Sequence, residues 1–286
     1  MLRLLQRAGV LIHVIGGVGI RVDGDFPPAD VARSDEPAEV ILALTATRSD
    51  GPFAGPGART LEQDSWCSFL DDDVVSLCSK EPRPTPHEAM RVELSRDRLE
   101  GRYFFGPDAW PYPFRYPMDQ LLMVHTLGLA GGALMHAASI VGRDGALLVA
   151  GHSGAGKTTL SRAAAAEGAH ILSDERTVVR PSPRGWLVGG TPWPGEGGFA
   201  ENRSVPLGGI ILLEQADRDE FVPLTPARAL AMLYRCHFPP LWDPRACERT
   251  LGNLEALVRT LPAVLYRNKK GRDAALRLLE RVGGVA

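Results

Sequence analysis

The chain has 286 residues, 44% of them hydrophobic and 23% charged, the composition of an ordinary globular protein with room for one large domain or two modest ones. A net charge of −2 excludes a global basic field of the kind that holds nucleic acid. The four cysteines, Cys67, Cys78, Cys236 and Cys247, are widely spaced, form no C-x-x-C pair and sit in no Cys/His cluster of zinc spacing, which argues for a reduced, cytoplasmic compartment.

The first twenty residues place Arg3 and Arg7 ahead of an apolar stretch, as a signal peptide would. His13 and three glycines interrupt that stretch, no small-x-small cleavage site follows, and Arg21–Gly24 continues an alternating pattern, so a strand pair is expected. No stretch approaches an uninterrupted apolar span of about 20 residues, and no membrane partner is expected. Residues 1–110 read as a β-rich N-terminal domain, with strands at Val10–Ile15, Val40–Thr45, Val74–Cys78, Met90–Leu94 and Arg102–Phe105, separated by turn-rich pieces at Asp50–Gly57 and Glu81–Pro86. Asp71-Asp72-Asp73 fits a solvated turn better than a metal site.

Residues 111–286 form the second unit, entered through an aromatic, proline-rich junction at Pro107–Pro117. Met118–Leu129 reads as a helix whose apolar residues surround it, with His125 packed within it, and Gly131-Gly132 ends it. His136–Gly142 and Ala146–Ala150 read as two strands joined by a hairpin at Asp144-Gly145. Directly after them comes Gly151-His152-Ser153-Gly154-Ala155-Gly156-Lys157-Thr158-Thr159, which satisfies G-x-x-x-x-G-K-[ST] at every fixed position. Glycines let the backbone bring N–H groups against phosphate oxygens, Lys157 would sit on the β- and γ-phosphates, and Thr158 would offer a hydroxyl to Mg²⁺. Thr159–Glu167 reads as the following helix, ending at Gly168, so the loop lies at a helix N-terminus, where the dipole favours an anion.

Ala169–Arg176 is expected to be a strand ending in Asp174-Glu175, carboxylates placed either beside a γ-phosphate and Mg²⁺ or in a solvated turn. A turn is expected at Pro181–Gly185, and Gly189–Gly198 reads as a Gly/Pro-rich loop, either a mobile lid or plain surface. Leu207–Glu214 is a buried strand whose terminal acid invites two readings, a Walker B acid or a plain strand end. Pro226–Arg235, a segment from Trp242-Asp243-Pro244 to Arg259, and Asp273–Val282 read as helices, with a strand at Pro262–Tyr266.

The run from His136 through GHSGAGKTT to Ile171-Leu-Ser-Asp-Glu175 resembles the HPr kinase/phosphorylase catalytic domain, related in fold to phosphoenolpyruvate carboxykinase. Tyr116–Asp119, Met135–Ala138, Ser173–Glu175 and Gly190–Trp193 look closer to the wider HPr-kinase-related set, which includes kinases that phosphorylate serines of peptide precursors such as lasso peptides. The resemblance implies an α/β chain: an HPr-kinase/phosphoenolpyruvate-carboxykinase-like P-loop domain after the β-rich N-terminal domain. It implies that Gly151 to Thr159 bind ATP and that Thr158 and Asp174 hold Mg²⁺. His136 and Lys157 then belong to the catalytic group with the pair Asp174 and Glu175, either of which could be the base. Glu196 is taken as a further metal-binding acid. The Arg-Gly-rich signature for reading HPr is not evident, so a serine of another peptide or protein is the expected acceptor. A small-molecule hydroxyl, or a nucleotide-binding regulator without an acceptor, are the alternatives, and a homo-oligomer is left open. His136, one hairpin before the P-loop, either orients the acidic pair and the transferring phosphate or packs beneath the loop.

Overall fold

The computed structural model describes residues 10–24, 40–49, 54–79, 90–106, 114–269 and 272–281. The turn-rich Glu81–Pro86, residues 50–53 and most of the Pro107–Pro117 junction lie outside them. Within them the chain is a mixed α/β structure of two large sheets and five helices.

The first sheet contains β1 (Val10–Ile15), β2 (Val18–Asp23), β3 (Val40–Arg48), β4 (Ala58–Glu62), β5 (Trp66–Leu70), β6 (Val74–Ser79), β7 (Met90–Ser95) and β8 (Glu100–Phe105). Their spatial order is β1-β2-β3-β8-β7-β6-β5-β4. Alternation puts Val18, Ile20 and Val22 of β2, Val75 and Leu77 of β6, and Val92 and Leu94 of β7 on one buried face. That face is sealed by α1 (Met118–Leu129). Leu122, Met123 and Leu127 of α1 share a core with the first sheet and with Leu134 and Val178 of the second. A helix that is apolar all round is a buried one, and here two sheets cover it.

The second sheet is built from β9 (Ala133–Gly142), β10 (Gly145–Ala150), β11 (His170–Ser173), β12 (Arg176–Ser182), β13 (Gly185–Gly190), β14 (Ser204–Gln215), β15 (Glu220–Pro223) and β16 (Ala263–Asn268). Five of its strands close into a ring, β9-β12-β13-β14-β10 and back to β9. Two long strands close it by changing neighbours midway. In β9, Ala133–His136 pairs with β12 and Ala137–Gly142 with β10. In β14, Ser204–Pro206 pairs with β13 and Leu207–Leu212 with β10. Ala146 faces Leu207 but Leu147 faces Gly209, so Gly208 is an extra residue that bends β14 at the changeover.

Alternation along β9 and β10 feeds two cores. Met135, Ala137, Leu148 and Ala150 pack with α3 (Pro226–Tyr234) and α4 (Pro244–Thr260). Ala138, Ile140, Leu147 and Val149 pack with α2 (Lys157–Ala166) and α5 (Arg272–Glu280). Thr225 accepts from the Arg228 N–H in the first turn of α3 and Asp243 from the Arg245 N–H of α4, and each helix opens on a proline.

The sheets are fastened by a buried ion pair. Arg96, just past β7, donates from Nη2 to Asp243 Oδ1 at 2.6 Å and from Nε to Oδ2 at 2.9 Å. Its remaining Nη1 donates to the carbonyls of Asp71 and Asp72, so Arg96 has its donor groups filled. The β1–β2 turn is held too: Gly16 N–H donates to Asn202 Oδ1 at 2.8 Å, and Asn202 Nδ2 donates back to the Val14 carbonyl at 2.6 Å.

Four strands go beyond the sequence expectation. In β4, Arg59, Thr60 and Glu62 are exposed, so there is no apolar face to reveal the strand. β5 follows β4 after a short turn, with Cys67 set directly opposite Cys78 of β6. The expected turn at Pro181–Gly185 shortens, because β12 runs through Ser182 and β13 starts at Gly185 and takes in Gly189-Gly190. β15 is a four-residue edge partner of β16. Asp71-Asp72-Asp73 forms the exposed β5–β6 turn, and among the described residues no group of three or more His, Cys, Asp or Glu side chains could hold a metal ion. Among those residues no helix is long and apolar enough to cross a membrane.

Candidate active site

The P-loop joins the buried strand β10 to α2. Gly151 is a point of close approach: a Cβ there would lie 2.9 Å from the Ala155 Cβ and 3.2 Å from the Leu213 Cβ. Gly154 and Gly156 have φ of +80° and +103°, a region that L side chains avoid. The loop is braced by an Ala155 N–H to His152 carbonyl bond of 3.0 Å and by Gln215 at the end of β14, whose Nε2 donates to the Gly154 carbonyl.

Lys157 is the first residue of α2, two residues before the expected start, and it is buried. Its ammonium donates to the Gly151 carbonyl at 2.9 Å and to His136 Nε2 at 3.0 Å. Burial lowers its pKa, against the opposing pull of Cys236 and Glu175. Because Lys157 donates to Nε2, the neutral His136 ring carries its proton on Nδ1, which lies 3.3 Å from Glu175 Oε1. Burial first, and the Lys157 charge second, push the His136 pKa below its usual value, while Glu175 pulls it up. Beyond Glu175 the Arg176 Nη1 follows at 4.0 Å. Lys157, His136, Glu175 and Arg176 thus form a row across one cleft of about 710 Å³, whose wall also includes Thr158 and Glu196.

The ring of strands creates this row. His136 and Arg176 are partners across β9 and β12, while Ala137 next to His136 pairs with Ala150, the last residue before the P-loop. His136 therefore sits where β9 passes from β12 to β10, beside both the acid-bearing turn and the glycine-rich loop. Behind it, His136 N–H donates to the Cys236 carbonyl at 2.7 Å, and the Phe238 ring meets the imidazole edge-on.

The two acids of the pair part company. Glu175 lines the cleft. Asp174 is fully buried, with Oδ1 accepting from Gly195 N–H at 3.2 Å and Oδ2 from Gly197 N–H at 2.7 Å. It fastens the Gly/Pro-rich loop. That loop is tied at two further points: Trp193 Nε1 donates to Asp119 Oδ2 of α1 at 2.9 Å, and Arg162 of α2 donates to the Glu196 carbonyl. Burial raises the Asp119 pKa, against the Trp193 hydrogen bond and the nearby Arg176 charge. Glu196 is exposed at the rim. Glu214, the alternative Walker B acid, pairs with Arg267 of β16 at 3.4 Å, as a plain strand-end acid does.

Residues 117–250 match the family model described as SynChlorMet cassette protein ScmC. The matched stretch contains α1, His136, the whole P-loop, Asp174 to Arg176, the tied loop and Phe238, so the chain is similar to that family across the entire cleft. No curated protein matches the chain.

The sequence reading passed over Arg176 in the cleft wall and Cys236 and Phe238 behind His136. Arg176 ends the expected strand segment and has no role there. Cys236 and Phe238 lie far along the chain, in a segment with no motif. An isolated bridge between Met135 and His237 brings them beside β9.

The arrangement suits a phosphate chain. Glycines open the loop backbone, a Cβ added at Gly154 would meet nothing within 4 Å, and the buried ammonium of Lys157 lies at a helix N-terminus. Mg²⁺ typically takes one or two protein oxygens, with phosphates and waters completing its shell, and the partly exposed Thr158 hydroxyl in the cleft fits that use without an all-protein cage.

Proposed function

We propose that this chain is an ATP- and Mg²⁺-dependent phosphotransferase of the HPr-kinase-like kind, acting in the cytoplasm on a hydroxyl, foremost a serine of a peptide or protein. The observation that carries the reading is the row Lys157–His136–Glu175 set directly against a complete P-loop in one cleft. Binding alone would need the loop and the lysine; a carboxylate held beside the phosphates by a histidine is what proton removal from an acceptor adds.

In the reaction the acceptor oxygen attacks the γ-phosphorus, the bond from that phosphorus to the β–γ bridging oxygen breaks, and ADP leaves. The acceptor proton passes to Glu175. His136, with Nδ1 3.3 Å from that carboxylate, would steady its orientation, while accepting from Lys157 keeps the imidazole neutral. Lys157 and the loop N–H groups hold the phosphates, and Asp174 holds the wall opposite. Mg²⁺, held through the Thr158 hydroxyl, would supply charge neutralisation on the phosphate oxygens.

The test is incubation with γ-labelled ATP and Mg²⁺, first with cell extract and then with purified candidates, followed by mass spectrometry of labelled products. The matched family is described as a cassette protein, which directs the search to peptides encoded beside the chain. A phosphoserine peptide supports the reading. A phosphorylated metabolite moves the acceptor to a small molecule, and release of only ADP and phosphate would replace the kinase with a nucleotide-dependent regulator.

A further inference from the structure

Arg176 is the one member of the row without an assigned role. It opens β12, in register with His136, and its backbone carbonyl is locked by two hydroxyls: Ser173 Oγ donates to it at 2.9 Å and Thr191 Oγ1 at 2.7 Å. Its guanidinium lies 5.7 Å from the centre of the Phe238 ring. The residue is thus anchored at its backbone and its guanidinium rests beside an aromatic ring, yet no hydrogen bond from the guanidinium is formed among the described residues. Nε is buried with no acceptor among the described residues. The nearest carboxylate oxygen, on Glu175, is 4.0 Å from Nη1, beyond hydrogen-bond reach, because Glu175 is turned to His136.

A guanidinium has five N–H donors and cannot lose its charge. Desolvating it without acceptors is costly, and Arg96 shows how this same chain satisfies an arginine where the role is structural. Arg176 differs in facing the cleft, with the phosphate loop on the other side of His136 and Glu175. A fixed planar fork of free donors is suited to two oxygens of one oxyanion.

We infer that Arg176 holds the terminal phosphoryl group of the nucleotide, gripping it from the wall opposite Lys157; this rests on the phosphotransfer reading of the cleft. Lys157 and the loop would hold the phosphates that ADP and ATP share, whereas Arg176 would touch oxygens that only ATP has. It would therefore make the site distinguish triphosphate from diphosphate, and would neutralise charge on the group in transit.

The experiment is calorimetric binding of Mg²⁺ with ADP and with a β,γ-imido analogue of ATP, on the full chain and on Arg176→Ala and Arg176→Lys, with circular dichroism as a check of folding. The wild type should prefer the analogue. In Arg176→Ala the analogue should weaken by about tenfold or more while ADP stays within about twofold, as expected when a charge-assisted hydrogen-bonding group is lost. Arg176→Lys, which keeps the charge and loses the fork, should fall between them and serves as the test if the alanine variant does not fold. An unchanged ratio of analogue to ADP affinity in a folded variant overturns the inference and leaves the phosphotransfer reading standing. Failure of the wild type to bind either nucleotide overturns both.

Discussion

Asp174 and Glu175 are neighbours in sequence but have different surroundings in the structure, one enclosed by the loop and one in the cleft, which makes their conservative amides a direct comparison. Asp174→Asn keeps the size and shape of the side chain but turns one of its two acceptor oxygens into a donor. Oδ1 and Oδ2 each accept one loop N–H, from Gly195 and Gly197, so one of those N–H groups must then face an NH₂. With the side chain fully buried, the unsatisfied donor is worth about 1–3 kcal/mol, and Asp174→Ala, which orphans both, about twice that. Glu175→Gln removes no acceptor from the tied loop, so its stability should stay within about 0.5 kcal/mol of wild type. Its turnover should fall about 10²- to 10⁴-fold, the worth of a positioned base. Urea unfolding, limited proteolysis across residues 191–198 and turnover on an identified acceptor measure the three effects. An Asp174→Asn variant with wild-type stability and proteolysis but no turnover, beside an active Glu175→Gln, would refute the assignment and make Asp174 the base.

Lys157→Ala should lose measurable binding of Mg²⁺–ATP by calorimetry while keeping the far-ultraviolet spectrum of the wild type. Gly197→Ala should open the tied loop to proteolysis, because the added Cβ would lie 2.4 Å from Asp174 Oδ2. Arg96→Met should destabilise the chain in urea by about 3–5 kcal/mol, since it leaves Asp243 as an unpaired buried charge, and Arg96→Met with Asp243→Asn should recover part of that loss. Burial pushes the pKa of both His13 and His125 down to about 4 from 6.5. His13 stacks on Phe114; His125 also feels Arg249, against the Ser95 carbonyl and Asp243. Both must be neutral in the fold, so the unfolded chain takes up their protons first as the pH drops below about 6.5. Stability is full above that pH and should fall towards pH 4 by about 3 kcal/mol for each group, and His13→Phe should flatten part of the slope of a urea-midpoint titration.

The parts of the site that are contiguous in the chain were legible in advance. A P-loop is specified by residues a few positions apart, glycines at positive φ, a lysine and a hydroxyl at the first turn of a helix, and each acts through its own backbone or its immediate neighbours. The strand before it, the hairpin at Asp144-Gly145 and the helices starting at Pro226 and at Asp243-Pro244 were legible for the same reason. β4 was not, because a polar edge strand carries no apolar alternation and exists only through pairing with β5.

Which acid faces the cleft was beyond the sequence. Consecutive residues at a strand end point apart, and only the loop arriving from Gly195 to Gly197 decides that Asp174 is enclosed and Glu175 is not. Arg176 became a candidate ligand group only once its neighbours were known, since nothing along the chain tells that its Nε finds no acceptor among the described residues and that its guanidinium lies beside Phe238. The sequence by itself determined a glycine-rich loop of P-loop pattern between a buried strand and a helix, because that device is local. The tertiary structure decided what surrounds it. The ring of β9, β12, β13, β14 and β10 brings His136, Glu175 and Arg176 to one wall, and long-range strand pairing, not spacing along the chain, sets those distances.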